Sequence, residues 1–212
     1  GEQLEAIRCS ATESILIVTG GPGTGKTTLI RGIISIFEKS NLEIVLAAPT
    51  GRAAKRMAEA TGREAKTIHR LLEMEFTPDE SRREFRKNER DPIKADAIII
   101  DEVSMVDILL MHSLLKAVEP GTRLILVGDA DQLPSVGPGR VLSDLIESRC
   151  FKVIRLNNIF RQAGESFIVV NAHRINKGLF PELNTENEDF FFIPRNSPQS
   201  TAQTVLELCT TR

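Results

Sequence analysis

The sequence predicts an α/β fold in which a mostly parallel sheet is flanked by helices, and two observations support this prediction. Short apolar runs of strand length alternate with stretches of helical periodicity along the chain. Several of the short runs are apolar throughout, as in strands that are buried on both faces of a sheet. Strands that alternate with helices are typical of a parallel sheet covered by helices.

The individual elements follow from the same patterns. The apolar runs predict strands over residues 14–19, 43–48, 97–100, 123–127 and 151–156. The stretches between them predict helices over residues 24–38, 51–60, 105–118 and 139–148, the third with Ser104 as its N-cap. The segment 77–92 contains Pro78, Asn88 and Pro92, and these residues predict an irregular surface excursion.

Length and charge exclude several classes of protein. The chain has 212 residues, which suits one domain with an additional segment. With 27 Lys and Arg against 29 Asp and Glu, the protein does not coat nucleic acid by bulk charge, so any such contact requires a local basic face. The longest aliphatic runs are far shorter than the ~20 residues of a membrane span, so we expect no membrane association.

The cysteines and the first residues suggest where the protein acts. Cys9, Cys150 and Cys209 are odd in number, far apart and without metal-ligand spacing, so we expect a reducing compartment and three cysteines that fill the core. No signal-peptide pattern is visible at the start. Because Gly1 stands where Met is usual, we expect an excised piece of a larger cytoplasmic protein.

The segment from Gly20 to Thr27 fits the pattern G-x-x-x-x-G-K-[ST] of a phosphate-binding loop. A predicted strand precedes it and a predicted helix follows, as the motif requires. Glycines let a phosphate chain approach the N–H groups at the start of the helix. We expect Lys26 to reach the β- and γ-phosphates of a nucleotide and the Thr27 hydroxyl to bind Mg²⁺. A dinucleotide-binding loop fits less well, because Lys26 takes the place of its third glycine.

Two adjacent carboxylates follow the predicted strand 97–100. Asp101 lies at the carboxyl end of that strand, where it can hold Mg²⁺ through an oxygen or a bound water. Glu102 can polarise a water for in-line attack on a γ-phosphate. Alone, the pair could equally cap the next helix. Together with the phosphate loop it favours hydrolysis, because phosphate transfer to a second substrate would not need a water-activating base.

Two more candidates follow later strands. Gln132 lies where the strand 123–127 leaves the sheet, and a neutral amide suits contact with a γ-phosphate or its attacking water, although an ordinary loop amide would look the same. Arg161 follows the strand 151–156, and an arginine that meets the γ-phosphate accelerates hydrolysis by roughly 10³–10⁵. A lone arginine is more often a surface ion pair, so this role depends on a wider resemblance.

The ordered set of motifs resembles the motor core of superfamily 1 DNA helicases, and most closely the RecD-like branch. The matching residues extend from Gln3 to about Lys177. Besides the phosphate loop, the set comprises Ala48-Pro49-Thr50-Gly51-Arg52-Ala53-Ala54, Thr67-Ile68-His69-Arg70-Leu71-Leu72, Asp101-Glu102-Val103-Ser104-Met105, Gly128-Asp129-Ala130-Asp131-Gln132-Leu133-Pro134 and Phe160-Arg161-Gln162. The resemblance implies a RecA-like domain of the P-loop NTPase class over residues 1–178, followed by an acidic loop and C-terminal segment over 179–212.

The resemblance also implies a role for each matching residue. The nucleotide-binding set is Gln3, which would read the adenine edge, with Gly21, Pro22, Gly23, Thr24, Gly25, Lys26, Thr27 and Thr28. The catalytic set is Lys26, Glu102, Gln132 and Arg161, and the Mg²⁺ ligands are Thr27 and Asp101. The DNA-binding set is Thr50, Gly51, Arg52 and His69. Without the resemblance, a histidine beside Ile68 and Leu71 would more often be a packed structural residue.

As a member of that group, the chain would bind and hydrolyse ATP with Mg²⁺ and drive movement on single-stranded DNA in recombination or repair, with a 5′-to-3′ direction implied by the resemblance. We expect a monomer. The family motor has a second RecA-like domain whose motifs have no counterpart up to Arg212, so we expect that this piece does not unwind DNA alone. The alternatives are an ATP-dependent switch or clamp loader, a subunit of an exonuclease complex and, as the weakest, a small-molecule kinase.

Overall fold

The computed structural model contains a six-stranded parallel sheet, which confirms the predicted α/β class. Its strands are β1 Ile15–Gly20, β2 Ile44–Ala48, β3 Ala65–Thr67, β6 Ala97–Ile100, β7 Arg123–Gly128 and β8 Lys152–Leu156, in the order β3-β2-β6-β7-β1-β8. A separate antiparallel pair joins β4 Met74–Phe76 to β5 Arg83–Phe85. The structure describes residues 1–76, 83–158, 166–183 and 189–210.

Helices alternate with these strands. They are α1 Glu2–Thr12, α2 Lys26–Lys39, α3 Gly51–Thr61, α4 Ile68–Leu71, α5 Ile108–Ala117, α6 Val141–Glu147, α7 Phe167–Asn176 and α8 Pro198–Thr210, with a 3-10 turn at Val103–Met105. Among the described residues, no helix has both the length and the apolar character needed to cross a membrane.

The sheet is buried on both faces. Successive residues of its strands point to opposite sides, so strands such as β1 and β7 contribute to both buried clusters. On one face, Val18 of β1 shares a buried cluster with Ile30 and other residues of α2. On the other face, Ile17 of β1 shares a second cluster with Leu114 of α5 and residues of α4 and α6. The apolar runs of the sequence therefore reflect helices packed on both sides of the sheet.

The predicted helix 105–118 is wrong in its first turn. The chain forms the 3-10 turn first, and α5 begins only at Ile108. Its N-cap is Asp107, whose carboxylate accepts a hydrogen bond from the N–H of Leu110 at 2.8 Å. Ser104 does not cap this helix, because its hydroxyl instead donates to the side-chain oxygen of Gln132 at 3.2 Å.

Two other local predictions also need correction. The segment 77–92 is not wholly irregular, since β5 lies within it, while residues 77–82 fall outside the described part of the chain. Cys150 and Cys209 do not fill the core, because both are exposed. Cys150 lies just after α6, and Cys209 lies on α8, none of whose residues is buried.

The first helix is tied to the outer strand β8. Glu5 of α1 pairs with Lys152 of β8 at 2.9 Å. The Glu2 carboxylate accepts hydrogen bonds from the backbone N–H of Asn157 at 2.8 Å and from its side-chain amide at 3.2 Å. The bond from the Asn157 N–H holds the pKa of Glu2 below its usual value. These contacts fix the helix that carries Gln3.

The chain divides into two compact units, Gly1–Phe160 and Arg161–Arg212. The first contains the six-stranded sheet together with α1 to α6. In the second, the buried side chain of Asn171 on α7 donates to the carbonyl oxygen of Glu182 at 3.1 Å and accepts from its N–H at 2.7 Å. The expected division between residues 1–178 and 179–212 stays a prediction.

Gly20, at the end of β1, lies so close to neighbouring residues that a side chain there would clash with them. A Cβ there would lie 2.7 Å from the Thr24 hydroxyl oxygen and 2.9 Å from both the Cβ and the carbonyl oxygen of Leu156. We expect Gly20→Ala to destabilise the fold by about 1–3 kcal/mol, because the β8 backbone has to move. The free energy of unfolding in denaturant measures this. Gly51→Ala is the control, since its Cβ would meet no atom within 4 Å, and an equal loss there would contradict the explanation.

Candidate functional site

The phosphate loop, the two adjacent carboxylates and Gln132 follow strands that end at one edge of the parallel sheet. Gly20 ends β1, Asp101 directly follows β6, and Asp129 directly follows β7. Strand β7 lies between β6 and β1 in the sheet. Because parallel strands end on the same side, the phosphate loop and the carboxylates come together at neighbouring strand ends.

The phosphate loop connects β1 to α2 in a conformation that needs glycine. Gly23 has a φ of 75° and Gly25 a φ of 80°, both in the left-handed region. Gly25 is the N-cap of α2, and it has no side chain that could bond to the N–H groups of the first turn. That turn also contains no acidic residue. The start of α2 is therefore suited to an anion.

Side chains hold the carbonyl oxygens of this loop. The Lys26 ammonium group donates to the carbonyl oxygen of Gly20 at 2.5 Å and to that of Gly21 at 3.1 Å. The buried Thr24 hydroxyl also donates to the Gly21 oxygen, at 2.8 Å. These hydrogen bonds satisfy carbonyl groups of the loop and place the positive charge of Lys26 within it.

Gln3 lies beside the loop although it is far away in the sequence. Its amide nitrogen is 3.4 Å from the carbonyl oxygen of Thr24 and 3.3 Å from that of Gly25. The structure therefore brings Gln3 to the nucleotide-binding set predicted from sequence. The other members of that set include Pro22, Gly23, Thr27 and Thr28, which are exposed to solvent.

Asp101 is held at the end of the central strand β6. Its N–H donates to the carbonyl oxygen of Ala47 at 3.0 Å, and its carboxylate accepts from the N–H of Glu102 at 2.9 Å. Burial raises the pKa of the Asp101 carboxyl, while the N–H of Glu102 and the charges of Lys26 and Arg56 act in the opposite direction. A carboxylate desolvated in this way gains from a nearby cation.

Lys26, Thr27, Asp101 and Glu102 line one cavity of about 120 Å³. The structure thus brings Lys26 and Thr27 together with both carboxylates, while the roles assigned to these residues stay predictions. The same cavity includes Arg56 of α3, which the sequence analysis missed. Its guanidinium lies 3.1 Å from a carboxylate oxygen of Glu102. The signal that could have found it is the spacing of four residues from Arg52, which places both arginines on one face of α3.

Gln132 lies in a different cavity at the same edge of the sheet. This cavity has a volume of about 180 Å³, and its lining includes Ser104, Asp129, Gln132 and Arg140. Gln132 accepts a hydrogen bond from the Ser104 hydroxyl, and the backbone carbonyl of the buried Asp129 accepts from the Gln132 N–H at 3.2 Å. The Ser104 contact, also missed from sequence, links Gln132 to the turn that follows Glu102.

The predicted DNA-binding residues lie on α3 and α4. The Thr50 hydroxyl oxygen caps α3 by accepting from the N–H of Ala53 at 3.2 Å, and Gly51 and Arg52 are exposed in its first turn. The His69 ring on α4 is half-buried, with its centroid 5.9 Å from that of Phe85 on β5. Thr50 and His69 thus have structural contacts of their own, whereas Gly51 and Arg52 face solvent.

Arg161, the fourth predicted catalytic residue, lies outside the described residues. The described chain on that side ends shortly after Asn157, which follows β8 and binds Glu2.

The comparisons with known proteins agree with this geometry. Residues 3–138 match the family of AAA domains. The chain belongs to that family. The chain is 43% identical over 180 residues to the ATP-dependent RecD2 DNA helicase of Deinococcus radiodurans, and 42% identical over 169 residues to the RecBCD enzyme subunit RecD of Mycolicibacterium smegmatis. These matches confirm the predicted resemblance to RecD-like helicases.

The matches cover most of this chain but only a small part of each relative. The two matches include 85% and 69% of this chain but 24% and 30% of the relatives, so the chain spans less than a third of the length of these curated proteins. Among solved structures, the Pif1 helicase from Bacteroides in complex with ADP-AlF3 and ssDNA is 27% identical, with a TM-score of 0.56. The similarity covers 84% of this chain and 46% of the Pif1 chain.

The half-buried Asp101 carboxyl predicts that the fold becomes more stable when the charge of this group is removed. Its pKa is higher in the fold than the ordinary value of 3.8, so the fold loses stability as pH rises through 3.8 toward the raised value. We expect Asp101→Asn to be more stable than the natural chain near neutral pH, and equally stable below the ordinary pKa. Thermal unfolding across pH measures the difference. The exposed Asp131→Asn is the control, and a destabilised Asp101→Asn at neutral pH would contradict the prediction.

Proposed function

We propose that this AAA domain is the motor domain of a DNA helicase, which binds and hydrolyses ATP to move on single-stranded DNA. The observation that carries the proposal is the cavity in which Lys26 and Thr27 face Asp101 and Glu102. A loop that binds phosphate beside two carboxylates is what phosphoryl transfer to water requires. A relative named an ATP-dependent DNA helicase and a similar Pif1 helicase solved with ADP-AlF3 and ssDNA support the same function.

ATP is the ligand that we assign to the phosphate loop. The Lys26 ammonium rests on the carbonyl oxygens of Gly20 and Gly21, which are neutral acceptors. Charged phosphate oxygens form stronger hydrogen bonds with an ammonium group, so a triphosphate can draw Lys26 away from these carbonyls. Gln3 lies beside the loop, and its amide has both the donor and the acceptor that the edge of an adenine requires.

Thr27 and Asp101 are the residues that fit Mg²⁺. Both offer hard oxygen ligands, and both line the cavity beside Lys26. In the described ranges, no group of three or more His, Cys, Asp or Glu side chains is arranged to hold a metal ion by itself. This arrangement suits Mg²⁺, which takes most of its ligands from phosphate oxygens and water. When bound, the ion would neutralise charge on the phosphate oxygens.

Glu102 and Gln132 are the residues that we assign to hydrolysis. The Glu102 carboxylate can accept a proton from a water that attacks the γ-phosphate. Gln132 lies at the same edge, and its amide is held by Ser104, so it can orient that water or contact the phosphate. The assignment of Arg161 to the γ-phosphate is supported by the family resemblance and by its place after β8 in the sequence.

Single-stranded DNA is the partner that we assign to α3 and α4. Arg52 and the backbone of Gly51 are exposed at the start of α3, where a phosphate group would meet N–H donors. Thr50 and His69 complete the set by resemblance. The chain has no Trp or Tyr, so it offers few aromatic rings on which bases could stack. We infer that this domain grips mainly the phosphate backbone.

A second candidate is a subunit of an exonuclease complex, because one relative is named the RecBCD enzyme subunit RecD. This candidate uses the same ATP site, and it differs in needing partner subunits. We favour a monomeric cytoplasmic helicase of recombination or repair, with 5′-to-3′ movement on the basis of the resemblance. Co-purification of the intact protein with nuclease subunits would favour the second candidate.

The deciding experiment compares ATP hydrolysis by the intact protein with and without single-stranded DNA. A motor is stimulated by the strand, whereas a nucleotide switch that acts through a protein partner is not. Stimulation together with displacement of a strand from a partial duplex is the expected result. Hydrolysis that single-stranded DNA leaves unchanged would refute the motor.

Two substitutions separate nucleotide binding from hydrolysis. Lys26→Ala should weaken the binding of ATP, because the positive charge in the loop is lost. Glu102→Gln should leave binding nearly unchanged and lower turnover by roughly 10²–10⁴, the usual contribution of a general base. A fluorescent ATP analogue measures binding, and phosphate release measures turnover. Full activity of Glu102→Gln would exclude Glu102 as the base.

We expect the exposed Arg52 to contact the DNA backbone, and the strength of such a contact falls as the salt concentration rises. Arg52→Ala should weaken the binding of single strands of any sequence, and it should reduce the slope of log affinity against log salt by about 1. Titration of the intact protein with labelled oligonucleotides at several salt concentrations measures both. Arg63→Ala is the control, because Arg63 forms an ion pair with Glu38 away from the start of α3. An unchanged slope for Arg52→Ala would exclude the contact.

A further inference from the structure

Arg56 and Glu102 form an ion pair in the cavity. The roles proposed for nucleotide binding and hydrolysis do not include this ion pair. Arg56 lies on α3 and Glu102 lies after β6, so the pair joins two separate elements. The guanidinium donates to a Glu102 carboxylate oxygen at 3.1 Å. Both residues line the cavity that contains Lys26, Thr27 and Asp101. Arg56 therefore touches the residue that we assign as the base, inside the site where the base would act.

The backbone of Glu102 is constrained. Its φ is 55° and its ψ is 41°, in the left-handed region that residues other than glycine rarely adopt. Such a conformation persists only where the surroundings fix it. The Glu102 side chain is 19% exposed, against 64% for Arg56, so the ion pair joins a largely covered carboxylate to a largely exposed arginine. Arg56 supplies a direct contact to that carboxylate.

Charge favours the same arrangement. Asp101 and Glu102 are adjacent carboxylates, and two negative charges at this spacing repel each other. If both turned toward one cation, neither would be left for water. The guanidinium binds a Glu102 oxygen, and this contact gives Glu102 a partner other than the cation that we assign to Asp101.

We propose that Arg56 is a positioning residue that fixes the Glu102 carboxylate for attack of water on the bound nucleotide. The inference rests on the proposed function, because it presumes that Glu102 serves as the base. Arg56 does not meet the reacting atoms in this role; it acts through Glu102. Its loss should therefore slow the chemical step and leave the affinity for nucleotide nearly unchanged.

The test measures kcat and KM for ATP in the intact protein with saturating single-stranded DNA. Arg56→Ala should lower kcat between about tenfold and about a hundredfold, as expected when a reacting group is displaced by about 1 Å. KM and the Kd of a fluorescent ATP analogue should change by less than about twofold. Arg56→Lys should recover much of the lost kcat, because an ammonium group can still donate to the carboxylate.

A double substitution identifies the residue through which Arg56 acts. In a protein that already carries Glu102→Gln, Arg56→Ala should cause no further loss of kcat, since effects of residues that act as one unit are not additive. Arg63→Ala is the matched control, because it removes another arginine–glutamate pair, with Glu38, outside the cavity. It should leave kcat unchanged.

Three results would overturn the inference: a kcat of Arg56→Ala within about twofold of the natural protein, an additive loss in the Glu102→Gln background, or a lysine variant no better than alanine. A natural protein that hydrolyses no ATP would instead refute the proposed function, and the inference with it. The two failures are therefore distinguishable in one set of measurements.

Discussion

The burial of the Asp101 carboxylate at the end of β6 is the constraint on which the rest of the site depends. A carboxylate taken out of water is costly unless positive charge or hydrogen-bond donors lie near it. Lys26 and Arg56 supply that charge, and the N–H of Glu102 supplies a donor. The phosphate loop and α3 thus both contribute charge at the end of this strand. The pKa of Asp101 is nevertheless raised by burial, which suits the role as a Mg²⁺ ligand that we propose.

The parts of the fold that depend on local pattern could be predicted from the sequence. The long strands, the phosphate loop and the carboxylates after β6 were all recognisable, because apolar runs and motif spacing are properties of neighbouring residues. The short strand β3 and the pair β4–β5 were missed, since three residues are too few to show a period. Ser104 was misread for a related reason: its partner Gln132 is 28 residues away.

The site shows the same limit. Lys26, Thr27, Asp101 and Glu102 each belong to a recognisable motif, and the structure brings them into one cavity. Arg56 belongs to none; its spacing from Arg52 places it on the same face of α3, but its contact with Glu102 depends on how α3 packs near the end of β6. Helix α3 thus has exposed Gly51 and Arg52 in its first turn and the contact of Arg56 with the carboxylate cavity one turn later. If the proposed roles hold, this one helix connects the DNA contact to the nucleotide site.

The outer strands of the sheet have a consequence for the behaviour of the chain in solution. A long, flat and uncovered outermost strand offers free backbone groups to which another molecule can add by β-pairing, a route to aggregation. Here β3 has only three residues, and β8 carries the charged Lys152 and is held to α1 by Glu5. A short edge strand and a charged edge strand are both features that disfavour β-pairing with another chain. The two borders of the sheet therefore offer poor templates for the addition of a further strand.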